Sequence, residues 1–327
     1  MGRIFSGIQP SGEVHLGNYL GALRNWVKLQ DEYESLYCIV DLHALTVPQD
    51  PHELPRRVAE AVATNLAVGI DPARSIFFVQ SSVPEHTELC WLLTCLTPIG
   101  ALERMTQFKD KAARHKKSVG AGLLTYPILM AADILTYKAD RVPVGEDQVQ
   151  HLELAREIAR KFNSTYGETF PEPQPLLTAG ARIMALNDPT KKMSKSLPGS
   201  YIGLAEDPAS IRQKVMRAVT DLGPRAAEMS PGVKNLFTIL ESVAPVEVVQ
   251  HYREAYAAGT LRYSDLKQTL ADELIKTLAP IRERRAELLA RPRELQEIVS
   301  AGAAKARPLA QAVLAEVKDK MGIGRLS

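Results

Sequence analysis

Two segments of this chain, far apart in the sequence, contain residue types suited to binding phosphate groups. The first is Gly7-Ile8-Gln9-Pro10-Ser11-Gly12-Glu13-Val14-His15-Leu16-Gly17-Asn18, and the second is Lys191-Lys192-Met193-Ser194-Lys195-Ser196. Glycines before a helix N-terminus let backbone N–H groups approach a phosphate. Lysines on a loop stabilise negative charge that develops as a phosphate bond breaks. Together the two segments predict chemistry on the phosphates of a nucleotide.

Both segments also have simpler interpretations. A strand-to-helix turn requires glycines whether or not it binds a ligand, and the first segment is neither a GxGxxG nor a Walker loop. The first segment alone leaves both interpretations equally open. Most lysine clusters are solvated surface, but the string Lys192-Met193-Ser194-Lys195-Ser196 is expected by chance in roughly one chain of this length in ten thousand. The second segment therefore favours a functional interpretation.

One acidic residue, Asp133, lies in an otherwise apolar stretch. Its spacing from Leu129, Met130 and Tyr137 places it on one helical face with apolar neighbours. A carboxylate accepts a hydrogen bond from a ligand donor, but the residue by itself is better explained as a helix cap or an ion-pair partner. His43 alone is likewise more often a core histidine than a site residue.

The elements that must position these residues follow a βαβ pattern. Short β-branched or aromatic runs at 3–7, 36–40, 76–80 and 141–144 predict parallel strands. A helix with Leu16, Leu20, Leu23 and Val27 on one face follows the first strand. A second helix is predicted to start at Asp50-Pro51-His52-Glu53, with its proline in the first turn, and to end at Gly69. The fold class is therefore α/β, with a Rossmann-like parallel sheet.

The chain from Asp207 onward has helix starts, at Asp207-Pro208 and Ser264, and no convincing strand. It holds 19 lysines and arginines against 15 aspartates and glutamates, an excess of the sign that a polyanion requires. We predict a catalytic domain at 1–190, which includes a connecting segment at 81–140, a loop linker at 191–206 and an all-helical C-terminal domain at 207–327. The last helix is expected to pack back on the catalytic domain.

Composition limits the remaining possibilities. The 327 residues are long enough for two domains, and 45% hydrophobic with 24% charged residues is typical of a globular protein. The longest apolar stretches, such as 122–137, are too short and too interrupted to span a membrane, and the N-terminus does not resemble a signal peptide. Cys38, Cys90 and Cys95 lie in apolar runs, which predicts buried reduced thiols and a cytoplasmic location.

The two nucleotide segments resemble the HxGH and KMSKS signatures of class I aminoacyl-tRNA synthetases. His15-Leu16-Gly17-Asn18 has asparagine in place of the final histidine, so more of the positive charge must come from lysines. Longer blocks resemble the bacterial tryptophanyl-tRNA synthetase family over residues 1 to about 200. These blocks are 7–12, 103–111, 122–127, 131–135 and 142–148, together with the KMSKS loop.

The resemblance implies a reaction and its partners. L-Tryptophan is activated by ATP, accompanied by Mg²⁺, to an adenylate and is then transferred to the 3′ end of tRNA(Trp). No tightly bound protein metal is implied. A homodimer is expected, with its contact in the 81–140 segment and apolar residues at 89–102 and 122–137. The helical domain is expected to contact the anticodon, with basic candidates Lys276, Arg282, Arg284, Arg285, Arg291 and Arg293.

The resemblance also implies roles for individual residues. The residues implied for ATP binding are Gln9, Pro10, Ser11, Gly17, Asn18, Gly145, Glu146, Asp147, Ile183, Lys192, Met193, Ser194, Lys195 and Ser196. Lys111, Lys192 and Lys195 are expected to be catalytic, holding the leaving pyrophosphate. The residues implied for tryptophan are Asp133, which accepts the indole N–H, with Phe5, His43, Met130, Val142, Val144 and Gln148 around it.

Three alternatives remain at this point. A tyrosyl-tRNA synthetase has the same architecture and also uses an aspartate toward its amino acid. A small-molecule nucleotidylyltransferase shares HxGN-like turns but requires neither a helical C-terminal half nor a full KMSKS segment. An RNA-binding relative without catalysis is opposed by the presence of every charged residue that the chemistry needs.

Overall fold

The computed structural model describes residues 2–106, 120–145, 148–177, 181–195, 197, 199–220 and 229–324. Within these residues the sheet has five parallel strands, which are β1 (Arg3–Ile8), β2 (Glu34–Ile39), β3 (Ile76–Val79), β4 (Arg141–Val144) and β5 (Gln174–Leu177). Their order in the sheet is β3-β2-β1-β4-β5. The predicted α/β fold with a Rossmann-like sheet is confirmed. The fifth strand was not predicted because Pro175 interrupts it, and proline is tolerated there because β5 lies at the edge of the sheet.

Helices connect the strands and cover the sheet. They are α1 (Leu16–Asn18), α2 (Arg24–Leu29), α3 (Asp41–Ala44), α4 (Glu53–Val68), α5 (Glu85–Thr94), α6 (Ile99–Glu103), α7 (Ala121–Leu135) and α8 (Val149–Tyr166). A π-helical turn, Tyr19–Leu23, joins α1 to α2 in one continuous run. Gly69 ends α4 with a φ of 120°, as predicted. Pro51 lies ahead of that helix, however, because His52 occupies the N-cap position.

Residues 207–324, where described, form helices and no strand. These helices are α9 (Pro208–Met216), α10 (Pro231–Val243), α11 (Val246–Ala257), α12 (Tyr263–Leu289) and α13 (Pro292–Met321). The Asp207 carboxylate accepts the Ser210 backbone N–H at 3.0 Å, which caps α9 at the predicted start. Helix α12 packs on α4 and α9, and α13 lies across β3 and α5. The domain boundaries stay a prediction.

Two of the arginines named as anticodon candidates bond to residues far from them in the sequence. Arg285 Nε donates to Thr64 Oγ1 at 3.0 Å, and the Arg285 side chain is only 16% exposed. Arg282 Nη1 donates to the Glu206 carbonyl at 3.4 Å. Both bonds help to fix α12 against other segments of the chain, and the role of these two residues in anticodon contact stays a prediction. Lys276, Arg284, Arg291 and Arg293 are exposed.

The core lies on both faces of the sheet. Ile4, Tyr37 and Phe77 pack in one cluster with residues of α4 and α12. Phe5 and Phe78, which point to the other face, pack with residues of α5, α7, α8 and α13. Successive side chains along a strand point to opposite faces of the sheet. When both faces are covered, nearly every residue of the strand is buried, and the strand sequence is an almost continuous apolar run.

The three cysteines differ in their exposure. Cys38 is buried and Cys90 is half-buried, but Cys95 is exposed, so the prediction of a buried thiol is wrong for Cys95. The cause is the position of Cys95 just after the last turn of α5, where the chain leaves the core. Separately, none of the described helices is both long enough and apolar enough to cross a membrane.

Candidate active site

A crevice opens between β1 and β4 at the carboxyl end of the sheet. These neighbouring strands pair at Ile4↔Arg141, and their onward connections run to opposite sides of the sheet. Such a change of direction leaves a gap in which ligands of α/β proteins usually bind. Pro143 contributes to the gap because it has no N–H to donate to β1, and its carbonyl instead accepts the Ser6 hydroxyl at 3.4 Å.

This crevice leads into a cavity of about 350 Å³, which we call the switch-point cavity. Its volume falls within the range of roughly 300–1,000 Å³ that small-molecule sites show. The structure brings together here all seven residues that were expected to surround tryptophan: Phe5, His43, Met130, Asp133, Val142, Val144 and Gln148. Their roles stay predictions, but their common location is a feature of the fold.

Asp133 is the buried acceptor of this cavity. Its side chain is 2% exposed and is held by three donors. Oδ1 accepts from Gln80 Nε2 at 2.7 Å and faces His86 Nδ1 at 2.6 Å, while Oδ2 faces His43 Nε2 at 2.8 Å. Burial raises the pKa of Asp133, but the bonds from His43 and His86 outweigh it and hold the pKa below its ordinary value. Asp133 is therefore a carboxylate at neutral pH, and among the residues that the structure describes it is neither a cap nor the partner of a lysine or arginine.

Sequence reasoning missed three polar residues of this region, Gln80, His86 and Tyr126. Tyr126 lines the cavity, and its hydroxyl lies 2.7 Å from His151 Nε2. Burial raises the pKa of Tyr126 to about 12, so its hydroxyl keeps its proton. Gln80 directly follows β3, and a polar residue at the carboxyl end of a parallel strand was the available signal.

A second cavity of about 390 Å³, the loop cleft, lies beside the first. It is lined by Ile8, Gln9, Ser11, Gly12, Val14, His15, Asn18, Ser194 and Lys195. Ile8 and Gln9 line both cavities, so a ligand in one adjoins a ligand in the other. The cleft thus joins the glycine-rich segment to the KMSKS segment, and it contains five of the residues that were expected to bind ATP.

Direct contacts connect the two segments of the loop cleft. Lys195 Nζ donates to the Ser11 carbonyl at 3.2 Å, and burial lowers the pKa of Lys195 although Glu13 acts in the opposite direction. Burial, and then the charges of Lys195 and Lys192, lower the pKa of His15 to about 4, so this ring is neutral at pH 7. Asn18 Oδ1 accepts the His15 backbone N–H at 3.2 Å, which leaves the Asn18 amide group as the donor toward the cleft.

Other residues expected to bind ATP lie near the cleft without lining it. Ile183 and Met193 are buried in the core, where the Met193 N–H donates to the Ile183 carbonyl at 3.0 Å. Lys192 is exposed, Pro10 is buried and Gly17 is half-buried. A Cβ on Gly17 would lie 3.5 Å from Met193 Cβ, so the two segments touch there as well. Gly145 lines the switch-point cavity.

Four residues of the expected site, Lys111, Glu146, Asp147 and Ser196, lie outside the described residues. Within the described part of the chain, no group of three or more histidine, cysteine, aspartate or glutamate side chains is placed to hold a metal ion.

Comparison with known proteins assigns the family. The sequence profile described as "tRNA synthetases class I (W and Y)" matches residues 2–279. The chain belongs to this family, which confirms the class predicted from its motifs. It is 49% identical over 325 residues to a tryptophan–tRNA ligase of Clostridium acetobutylicum, covering 98% of this chain and 96% of that protein. A tryptophan–tRNA ligase of Helicobacter pylori is 48% identical over 329 residues, covering 98% of each.

A solved structure gives the same result for the fold. The tryptophanyl-tRNA synthetase of Campylobacter jejuni, crystallised with ADP and tryptophan, superposes with a TM-score of 0.88 at 36% identity. The match covers 98% of this chain and 100% of that chain.

Proposed function

We propose that this member of the family is the tryptophan-specific enzyme, which activates L-tryptophan with ATP and transfers it to the 3′-terminal adenosine of tRNA(Trp). The observation that supports tryptophan is the switch-point cavity, which is mostly apolar and has a buried carboxylate. The only polar group on the indole ring is an N–H, which donates and never accepts. A carboxylate among Phe5, Met130, Val142 and Val144 matches that ring in both respects.

The adjoining cavities suggest how activation proceeds. Tryptophan in the switch-point cavity presents its carboxylate at Gln9, next to a nucleotide whose phosphates occupy the loop cleft. A carboxylate oxygen attacks the α-phosphorus in line, one new P–O bond forms, the bond to the β-phosphate breaks and pyrophosphate leaves. The attacking group is already ionised, so the enzyme supplies position and positive charge rather than a general base.

The positive charge is assigned to the lysines. Lys195 lies in the cleft, and Lys192 is close enough to His15 for its charge to act on that ring. We assign both, with Lys111, to the leaving pyrophosphate. The nucleotide substrate is ATP with Mg²⁺, which the phosphate oxygens bring into the cleft. Gln9, Ser11, Asn18 and Ser194 line the same cleft and are assigned to ATP.

Transfer to tRNA completes the reaction. A ribose hydroxyl of the terminal adenosine attacks the carbonyl carbon of the adenylate, and AMP leaves. We assign anticodon contact to the helices that follow residue 207, where Lys276, Arg284, Arg291 and Arg293 present positive charge to solvent. A cytoplasmic location is part of this proposal because tRNA is charged there.

A homodimer is also part of the proposal. Within the 81–140 segment, the large apolar side chains of Trp91 and Ile99 are 67% and 66% exposed, so both are available for a contact between subunits. The apolar stretch at 122–137 gives no such support, because most of its side chains are buried within the protomer on α7. The surface around Trp91 is therefore the better candidate for the contact.

The function is tested by amino-acid-dependent exchange of pyrophosphate into ATP. Tryptophan should support exchange, and tyrosine should support far less. Exchange with tyrosine instead of tryptophan would assign the chain to the other amino acid of the family. Absence of exchange with both, while tRNA still binds, would favour a relative without catalysis.

A further inference from the structure

Two residues beneath the switch-point cavity, Gln80 and His86, hold Asp133 without lining the cavity themselves. Both are completely buried, at 0% exposure, and both face the same carboxylate oxygen, Oδ1, at 2.7 and 2.6 Å. A buried polar side chain is costly unless its hydrogen bonds are made. Two buried donors that face the same carboxylate oxygen therefore indicate a role beyond filling the core.

The hydrogen-bond network fixes the direction of both donors. Gln80 Oε1 accepts the backbone N–H of Leu42 at 3.2 Å, so Gln80 Nε2 must be the atom that faces Asp133. His86 Nε2 lies 2.7 Å from the hydroxyl of Tyr137. His86 Nδ1 carries a proton and donates it to Asp133 Oδ1. The opposite tautomer would set a nitrogen lone pair against a carboxylate oxygen.

This arrangement determines which acceptor position remains for a ligand. An ionised carboxylate has about four acceptor positions, two on each oxygen. Gln80 and His86 occupy both positions on Oδ1, and His43 occupies one on Oδ2. As far as the described residues show, one position remains, on Oδ2, and the other position on that oxygen is occupied by the cavity-lining His43. A rotation of the carboxyl group would break two charge-assisted bonds, which are roughly twice as strong as neutral ones.

We propose that Gln80 and His86 are positioning residues that set amino-acid specificity by holding Asp133 as a carboxylate with a single acceptor position directed at the indole N–H. The inference rests on the proposed recognition of tryptophan and goes beyond it by assigning the discrimination to two residues outside the cavity. Without their bonds the carboxylate turns or takes up a proton. Asp133 then accepts the indole N–H less well, although the cavity keeps its shape.

The test compares tryptophan with an amino acid whose ring carries a benzothiophene sulfur in place of the indole N–H. The measured quantity is the ratio of kcat/KM for the two in pyrophosphate exchange, which reports on recognition of the N–H rather than on overall activity. Gln80→Met and His86→Leu should each lower the ratio about tenfold, equivalent to about 1.4 kcal/mol. His86→Asn, whose amide nitrogen lies near the position of Nδ1, should keep most of it.

Phe78→Leu is the matched control, because Phe78 packs 5.9 Å from the His86 ring, centroid to centroid, and donates no hydrogen bond. It should lower stability and leave the ratio at the wild-type value. Unchanged ratios in Gln80→Met and His86→Leu would overturn the inference. A ratio that falls as much in His86→Asn and Phe78→Leu as in His86→Leu would overturn it too, by assigning the effect to packing.

If His86→Leu does not fold, the inference is still tested by the other two variants. The kcat/KM ratio should fall in Gln80→Met and stay close to the wild-type value in His86→Asn. A failure of the proposed function looks different from all of these results. In that case the wild-type protein itself shows no exchange with tryptophan. Wild-type exchange without a preference for tryptophan over the analogue would instead overturn the inference and leave the proposed function standing.

Discussion

Replacement of Asp133 by asparagine tests the proposed reading of the indole ring, and the structure determines how the new amide must lie. If the amide NH₂ took the place of Oδ1, it would face the donors Gln80 Nε2 and His86 Nδ1. The amide oxygen therefore takes that place, and the NH₂ group takes the place of Oδ2. There it meets His43 and the indole N–H, which is a donor as well.

The expected loss follows from that mismatch. His43 can shift its proton to the other ring nitrogen and accept from the new amide, but an indole has no such alternative. Tryptophan loses a hydrogen bond to a charged group, a loss of about 1.5–3 kcal/mol. We therefore expect kcat/KM for tryptophan to fall about 10- to 150-fold. The benzothiophene analogue has no N–H to lose and should be affected much less.

The assay is pyrophosphate exchange with both amino acids and both enzymes, which closes a double-mutant cycle. Discrimination in favour of tryptophan should be strong in wild type and close to absent in Asp133→Asn. Thermal unfolding and ATP binding serve as controls for the fold. Equal discrimination ratios in the two enzymes would refute the reasoning and leave the tryptophan assignment to rest on the family comparison alone.

Three further predictions concern the lysine loop, the histidine of the first segment and the subunit contact. Lys195→Ala should raise the activation free energy of adenylate formation by about 2.7–4 kcal/mol, with little change in tryptophan affinity. A normal pre-steady-state burst of adenylate formation, together with weaker ATP binding, would contradict this role. His15 takes up a proton near pH 6.5 when unfolded and only near pH 4 when folded. The free energy of unfolding of the wild type should therefore fall as pH drops from about 6.5 toward 4, and that of His15→Gln should fall by less. Urea titrations that give the same pH dependence for both proteins would contradict this prediction. Sedimentation at low micromolar concentration should give a dimer for wild type and a smaller species for Trp91→Glu, whereas a monomeric wild type would exclude the contact.

Local patterns predicted much of the fold. The alternation of short apolar runs with helical spacing predicted four of the five strands, and capping residues located helix ends at Asp207 and Gly69. These signals are local, because side-chain period and capping depend on neighbours within a few residues. Where a local signal was misleading, as at Pro175 in the edge strand, the position in the sheet decided the structure.

The sequence by itself determined the residue types and motif spacing that predict a nucleotide site, and its resemblance to the family implied which residues surround the indole ring. Only the tertiary structure decided what each of them touches. Asp133 meets Gln80 and His86 because three separate elements converge beneath the cavity, a contact that no spacing along the chain encodes. Arg285 was named as a basic candidate for tRNA contact, but the packing of α12 on α4 leaves its side chain half-buried, with Nε donating to Thr64 Oγ1. Hydrogen-bond direction and burial depend on distant segments that meet, and for that reason they follow from the folded chain alone.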